Sequence, residues 1–139
     1  MPRFSAKSKE HLATAHPALQ HLFNEVVKEF DLLILCGHRP VAEQQRLYAQ
    51  GRTAPGKKVT NVDGVRIKGR HNYKPALAID AAPYPLDWAD TARFQEMGAV
   101  VKRVAKRLGI EISWGGDWKR FKDLPHFELP KSASLDHHA

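Results

Sequence analysis

Apolar residues recur along this chain at two spacings. From Pro17 the series Leu19, Leu22, Phe23, Val26, Val27 and Phe30 advances by three and four, which predicts an amphipathic helix opened by a proline at its first position. Ahead of it, Ser5 or Ser8 is placed to cap a short helix running to Ala15. Residues 31–37 read as a buried strand, because the apolar run 32–36 lies between a charged helix end and the breaker Gly37-His38-Arg39-Pro40. Residues 41–50 predict a further helix closed by Gly51. In residues 76–81 the period changes to two, so that Leu77 and Ile79 point to one face and Ala76, Ala78 and Asp80 to the other. Small neighbours leave room beside the Asp80 carboxylate. Asp87 or Asp90 can cap the last long helix, whose stripe is Phe94, Met97, Val100, Val101, Val104 and Leu108 and whose end is Gly109. Residues 110–114 and 125–129 predict short strands around the turn Gly115-Gly116-Asp117-Trp118. Helices and strands mix without regular alternation, which indicates an α+β single domain with a small antiparallel sheet and packed helices.

Composition narrows the picture. The 139 residues hold 42% hydrophobic and 27% charged positions, enough for one core and too few for two catalytic domains. The one cysteine, Cys36, rules out an intramolecular disulfide and a cysteine-rich zinc finger, so any metal must be held by histidine and carboxylate. The longest apolar run falls far short of the roughly 18 residues of a membrane span, and no secretory signal is visible behind the basic start. Lys and Arg outnumber Asp and Glu by 22 to 15, giving +7. Such a field favours polyanionic surroundings, nucleic acid or a bacterial envelope among them. Lys102, Arg103, Lys106 and Arg107 suit a helix C-terminus. Others crowd a long basic loop at residues 51–70, with a short hairpin expected around Asp63-Gly64. Aromatic interleaving and a recognisable nucleic-acid-binding motif are absent, so nucleic acid is not the expected partner.

The chemistry-bearing residues are His71 with Asp80, Asp123 with His126 and Glu128, and Arg39 behind Gly37. His126 and Glu128, two apart in an extended segment, point the same way. Two imidazoles and one carboxylate are the ligand set of many catalytic zinc sites, with water in the fourth position, and Asp123 is placed to take a proton from that water. Spacing alone leaves a second reading open, in which His71 is a loop residue and His126 a core histidine.

The segments Gly69-Arg70-His71-Asn72-Tyr73-Lys74-Pro75-Ala76-Leu77-Ala78-Ile79-Asp80 and Asp123-Leu124-Pro125-His126-Phe127-Glu128-Leu129 resemble the two zinc motifs of the M15 metallopeptidases. Gly37-His38-Arg39-Pro40 with Glu43-Gln44 resembles that family's arginine segment. Size, motif order and Trp114-Gly115-Gly116-Asp117-Trp118 are closest to its bacteriophage endolysin branch. The resemblance covers roughly residues 32–129 and implies a hedgehog/D-Ala-D-Ala peptidase-like fold; one catalytic domain is expected over residues 1–131, with a mobile tail, residues 132–139, carrying His137 and His138. It implies one Zn2+ held by His71, Asp80 and His126, with Asp123 as base and Arg39 stabilising the oxyanion. Glu128 would orient His126 or, in an alternative allocation, act as the base. Trp114, Asp117 and Trp118 are candidate walls of the substrate cleft, with core packing an equal alternative for the two tryptophans.

The implied substrate is the peptidoglycan stem peptide, cut at L-Ala-D-Glu, with a D,D-carboxypeptidase or a non-catalytic zinc-fold binding module as alternatives. The protein is expected to be a monomer that is made in the host cytoplasm, is released through a holin, and touches the anionic envelope through its charge. Two departures stand out. Gly69 replaces a serine, and Lys74-Pro75-Ala76 replaces a glycine and moves Asp80 two residues further from His71. The segment between Trp118 and Asp123 lacks the acidic cluster of a calcium loop.

Overall fold

The computed structural model describes residues 3–60, 69–120 and 122–134. The described residues form four α-helices and a four-stranded antiparallel sheet of order β1-β2-β4-β3. The α+β expectation holds. The hairpin expected around Asp63-Gly64, and His137 and His138 of the tail, lie outside the described residues.

Helix α1, Ala6–Leu12, is shorter than expected. Ser5 caps it by accepting from the Ser8 N–H, and the chain after Leu12 turns away because Ala15 is drawn into a bridge with Ala76. Helix α2, Pro17–Val26, starts at its proline as the spacing predicts, and the His16 ring accepts from the Ala18 N–H at its start. After strand β1, Leu32–Cys36, comes helix α3, Val41–Ala49. Strand β2, Ala78–Pro83, begins two residues later than its alternation suggests, because Ala76 is spent on the bridge to Ala15. Helix α4, Thr91–Leu108, is capped by Asp90 rather than Asp87 and ends at Gly109, whose φ of 74° is the left-handed conformation that glycine adopts without strain.

Strand β3 is only Ser113–Trp114, and β4 is His126–Glu128. Ile110 and Ile112 pack against the core without joining the ladder, so an apolar run that looks like a longer strand contributes burial but little pairing.

One sheet face carries Ile34, Ile79, Ala81 and Phe127 against α2 and α4, where Phe23 meets Phe127 edge to face at 5.6 Å. Fully burying one such large side chain stabilises the fold by about 1.5–3 kcal/mol. Alternation then sends Asp80, His126 and Glu128 to the opposite face. Strand β1 lies at a sheet edge, and Ser8 Oγ of α1 accepts the Ile34 N–H there, so the exposed ladder is partly covered. Lys102 pairs with Asp117, Arg103 with Glu29, and Arg107 with Glu25 and Glu29. These cations therefore do more than suit a helix end, although exposed pairs of this kind contribute only about 0–1 kcal/mol each.

Candidate active site

Register builds the site. Asp80 of β2 lies directly opposite His126 of β4, and a bulge between Ile34 and Cys36 brings Cys36 opposite Asp80 from the other side. A bulge re-aims side chains, and here it lines up three potential ligands across three strands. His71 comes from a single 3-10 turn, Arg70–Asn72, pinned to the segment after β1. Arg39 N–H donates to the His71 carbonyl at 2.7 Å, and Asn72 Nδ2 donates to the Arg39 carbonyl at 3.0 Å. His71 Nδ1–H donates to the Gly37 carbonyl at 2.7 Å. The two-residue-longer connection to Asp80 thus leaves His71 firmly held.

With Nδ1 committed to Gly37, Nε2 of His71 faces Asp80 Oδ1 at 3.2 Å. His126 Nδ1 meets the same oxygen at 3.3 Å, while its Nε2 reaches Glu128 Oε1 at 2.7 Å. The imidazole rings are 5.3 Å apart. Each histidine therefore presents one nitrogen to Asp80 and has the other fixed by an oxygen, an arrangement that orients metal-binding imidazoles. Burial disfavours charge on His71, but hydrogen bonds to Asp80 and Cys36 outweigh it and raise the ring to about 10. Burial likewise opposes the charge on Asp80, yet both histidines hold its carboxyl well below the usual range. The protons that these two buried rings hold beside one carboxylate are what a divalent cation would replace.

Cys36, His71 and Asp80 form a group whose donor atoms lie within 4.8 Å of one another and could hold a metal ion. Sequence reasoning gave Cys36 no part in the site, because the bulge that brings it there leaves no mark in the hydrophobic pattern. Its thiol sits 3.8 Å from His71 Nδ1 and 3.8 Å from Arg39 Nη2. Burial raises the thiol, but the bond to His71 and the nearby charges bring it below the ordinary value.

These groups open onto a cavity of about 540 Å3 lined also by Arg39, Gln44, Arg70, Trp118, Asp123, Glu128 and Lys131. Arg39 donates to Gln44 Oε1 at 3.0 Å and lies 3.8 Å from Asp80 Oδ2. Gln44 is buried and holds the guanidinium from α3. Solvent reaches Asp123 across the cavity mouth, but the surrounding protein and the Asp80 charge raise its carboxyl above the ordinary value. Glu128 is held low: burial acts against it, and the bond to His126 prevails. The pair thus separates into one carboxyl with raised proton affinity and one locked to an imidazole.

The three cleft candidates part company. Trp118 lines the cavity, with its ring 5.3 Å from that of His126. Trp114 does not: it is 7% exposed, stacks on Phe127, and donates from Nε1 to the Leu124 carbonyl at 2.7 Å. Its ring occupies space that a Cβ at Gly98 or Gly116 would fill. Asp117 is turned outward to Lys102. The cavity lining therefore includes Trp118 but neither Trp114, which takes its core-packing alternative, nor Asp117.

Gly115 sets the position of Asp123. Its carbonyl accepts from the Asp123 N–H at 3.1 Å, and a Cβ there would lie 2.2 Å from the Asp123 carbonyl oxygen. Gly115→Ala must therefore displace the Asp123 backbone. We expect it to cut turnover by about tenfold or more while the metal content stays unchanged, as measured by paired kinetics and elemental analysis. Full turnover would show that Asp123 needs no such exact placement.

A sequence profile described as phage L-alanyl-D-glutamate peptidase matches residues 1–132, and the chain belongs to that family. It is similar to the peptidoglycan L-alanyl-D-glutamate endopeptidase CwlK of Bacillus subtilis (strain 168), with 40% identity over 110 residues, 73% of this chain. The chain spans 62% of that relative's length. The L-alanyl-D-glutamate peptidase of Escherichia phage T5 is 27% identical over 134 residues, covering 93% of this chain and 90% of the relative. The crystal structure of the Serratia marcescens L-Ala D-Glu endopeptidase ChiX superposes with a TM-score of 0.71 at 25% identity, covering 93% and 91% of the two chains.

Proposed function

We propose that this protein is a zinc endopeptidase that hydrolyses the L-Ala-D-Glu bond of peptidoglycan stem peptides, degrading the bacterial wall in host lysis. The observation that carries the reading is the convergence of His71 Nε2 and His126 Nδ1 on one oxygen of Asp80, in a cavity that also holds Asp123 and Arg39. The names of the relatives from Bacillus subtilis and phage T5 support the choice of bond.

His71, Asp80 and His126 would hold the ion, a donor set of imidazole and carboxylate that suits zinc. Cys36 faces the nitrogen of His71 that is committed to Gly37, which favours this set over the one that includes the thiol. Bound zinc supplies a Lewis acid that makes water a nucleophile near neutral pH and polarises a carbonyl. Asp123 takes the proton of the attacking water as its oxygen bonds to the alanyl carbonyl carbon. Arg39, permanently charged and steadied by Gln44, holds the oxyanion that develops. As the C–N bond breaks, Asp123 returns the proton to the departing amine of D-glutamate. Glu128 keeps the His126 ring turned toward Asp80, and Trp118 walls the cleft beside it.

No described helix is long and apolar enough to cross a membrane. Synthesis in the host cytoplasm, release through a holin, action as a monomer, and electrostatic contact of the +7 chain with the anionic envelope belong to the same proposal. Digestion of purified Gram-negative peptidoglycan with the zinc-loaded protein should free the amino terminus of D-glutamate, identified by mass spectrometry. Release of free D-alanine instead would make it a carboxypeptidase, and no release would sink the reading.

A further inference from the structure

Three arginine and lysine side chains line the cavity, and two are committed. Arg39 faces Asp80 and Gln44, and Arg70 faces Glu128 Oε2 at 3.5 Å and the Leu129 carbonyl at 3.4 Å. Lys131, the third, has no acidic partner among the described residues. Its backbone is nevertheless well placed. Leu129 N–H bonds to the Leu77 carbonyl at 2.8 Å, and Lys131 opens the 3-10 turn Lys131–Ala133 directly beyond β4.

Two of the three acids of the cavity are likewise occupied, Asp80 by both histidines and Arg39, and Glu128 by His126 and Arg70, while Asp123 is the carboxyl assigned to proton transfer. Among the described lining residues Arg39, Arg70 and Lys131 balance Asp80, Asp123 and Glu128, so a divalent ion leaves them with a positive excess that suits an anionic group on the substrate. A D-glutamyl residue whose peptide continues through one of its two carboxyls has the other free, attached next to the nitrogen of the scissile bond. A sphere of the cavity's volume is roughly 10 Å across, so a carboxylate that close to the reacting carbonyl lies within the span of the rim.

Resting on the endopeptidase reading, we propose that Lys131 is a specificity determinant that pairs with the free carboxylate of the D-glutamyl residue and selects against stems in which that group is amidated. Lys131 is solvent-exposed, so the pair forms in a screened setting and favours the acid form by about tenfold, declining with salt.

The test compares two N-acetylated peptides, L-Ala-γ-D-Glu-L-Lys and its α-carboxamide counterpart, with the zinc-loaded full chain. Wild type should cleave the carboxylate peptide with about tenfold higher kcat/KM. Lys131→Met should remove that preference, chiefly through KM, without slowing the carboxamide peptide. Lys131→Arg should restore it, and Lys9→Met, an equal charge change on α1, should leave it intact. Equal cleavage of both peptides by wild type, or an undiminished preference in Lys131→Met, overturns the assignment. If wild type cuts neither peptide and leaves whole peptidoglycan untouched, the endopeptidase reading falls, and this inference with it.

Discussion

Asp123→Asn is expected to keep its metal and lose the reaction. The substitution preserves shape while removing the carboxylate, and Asp123 has no place in either donor set, so zinc content measured by elemental analysis should match wild type. The rate should fall by about 10²–10⁴-fold, the usual contribution of a positioned general base. The raised proton affinity of this carboxyl, caused by partial desolvation from the surrounding protein and by the Asp80 charge, suits it to accept a proton. Glu128 cannot readily take over, because its carboxylate is bound to His126 Nε2 at 2.7 Å. A zinc-replete and fully active Asp123→Asn protein would transfer the base role to Glu128.

His126→Ala should behave in the opposite order, losing the metal first and the activity as a consequence. The imidazole joins two carboxylates, Asp80 on one side and Glu128 on the other, and its removal takes away a ligand and the bridge between them. Zinc should wash out on dialysis, with hydrolysis falling to background, whereas Asp123→Asn retains the ion. Persistent stoichiometric zinc in His126→Ala would instead favour the Cys36, His71 and Asp80 donors. Run together, the two variants separate holding the ion from using it.

Much of the fold was legible because it rests on local rules. The stripe from Leu19 to Phe30 became α2 as far as Val26, with Val27 and Phe30 buried beyond its end, and the one from Phe94 to Leu108 became α4, while Pro17, the Asp87 or Asp90 cap and Gly109 marked boundaries through properties of single residues. The motif residues were legible for a related reason: alternation fixes that His126 and Glu128 share a face whatever lies opposite. What stayed hidden depends on contacts between distant segments. Trp114 is a core residue because Gly98 and Gly116 leave space for its ring. Asp117 points outward because Lys102, on another element, draws it there. Cys36 reaches the site through a register shift, and Lys131 stands at the rim because the 3-10 turn Lys131–Ala133 brings it to the cavity that Arg70 and Glu128 also line. Neither follows from spacing along the chain.

Gly37 ties these levels together. A Cβ there would lie 2.3 Å from Thr14 Oγ1 and 2.4 Å from the His11 carbonyl oxygen, so α1 and the turn after it press directly on the backbone whose carbonyl steadies His71. Thr14 Oγ1 also accepts the His38 N–H at 2.8 Å. Helix α1 has only seven residues, too few to persist in water without its neighbours. The N-terminal helix is therefore a splint for an imidazole it never touches, and the geometry of the site leans on the shortest α-helix among the described residues.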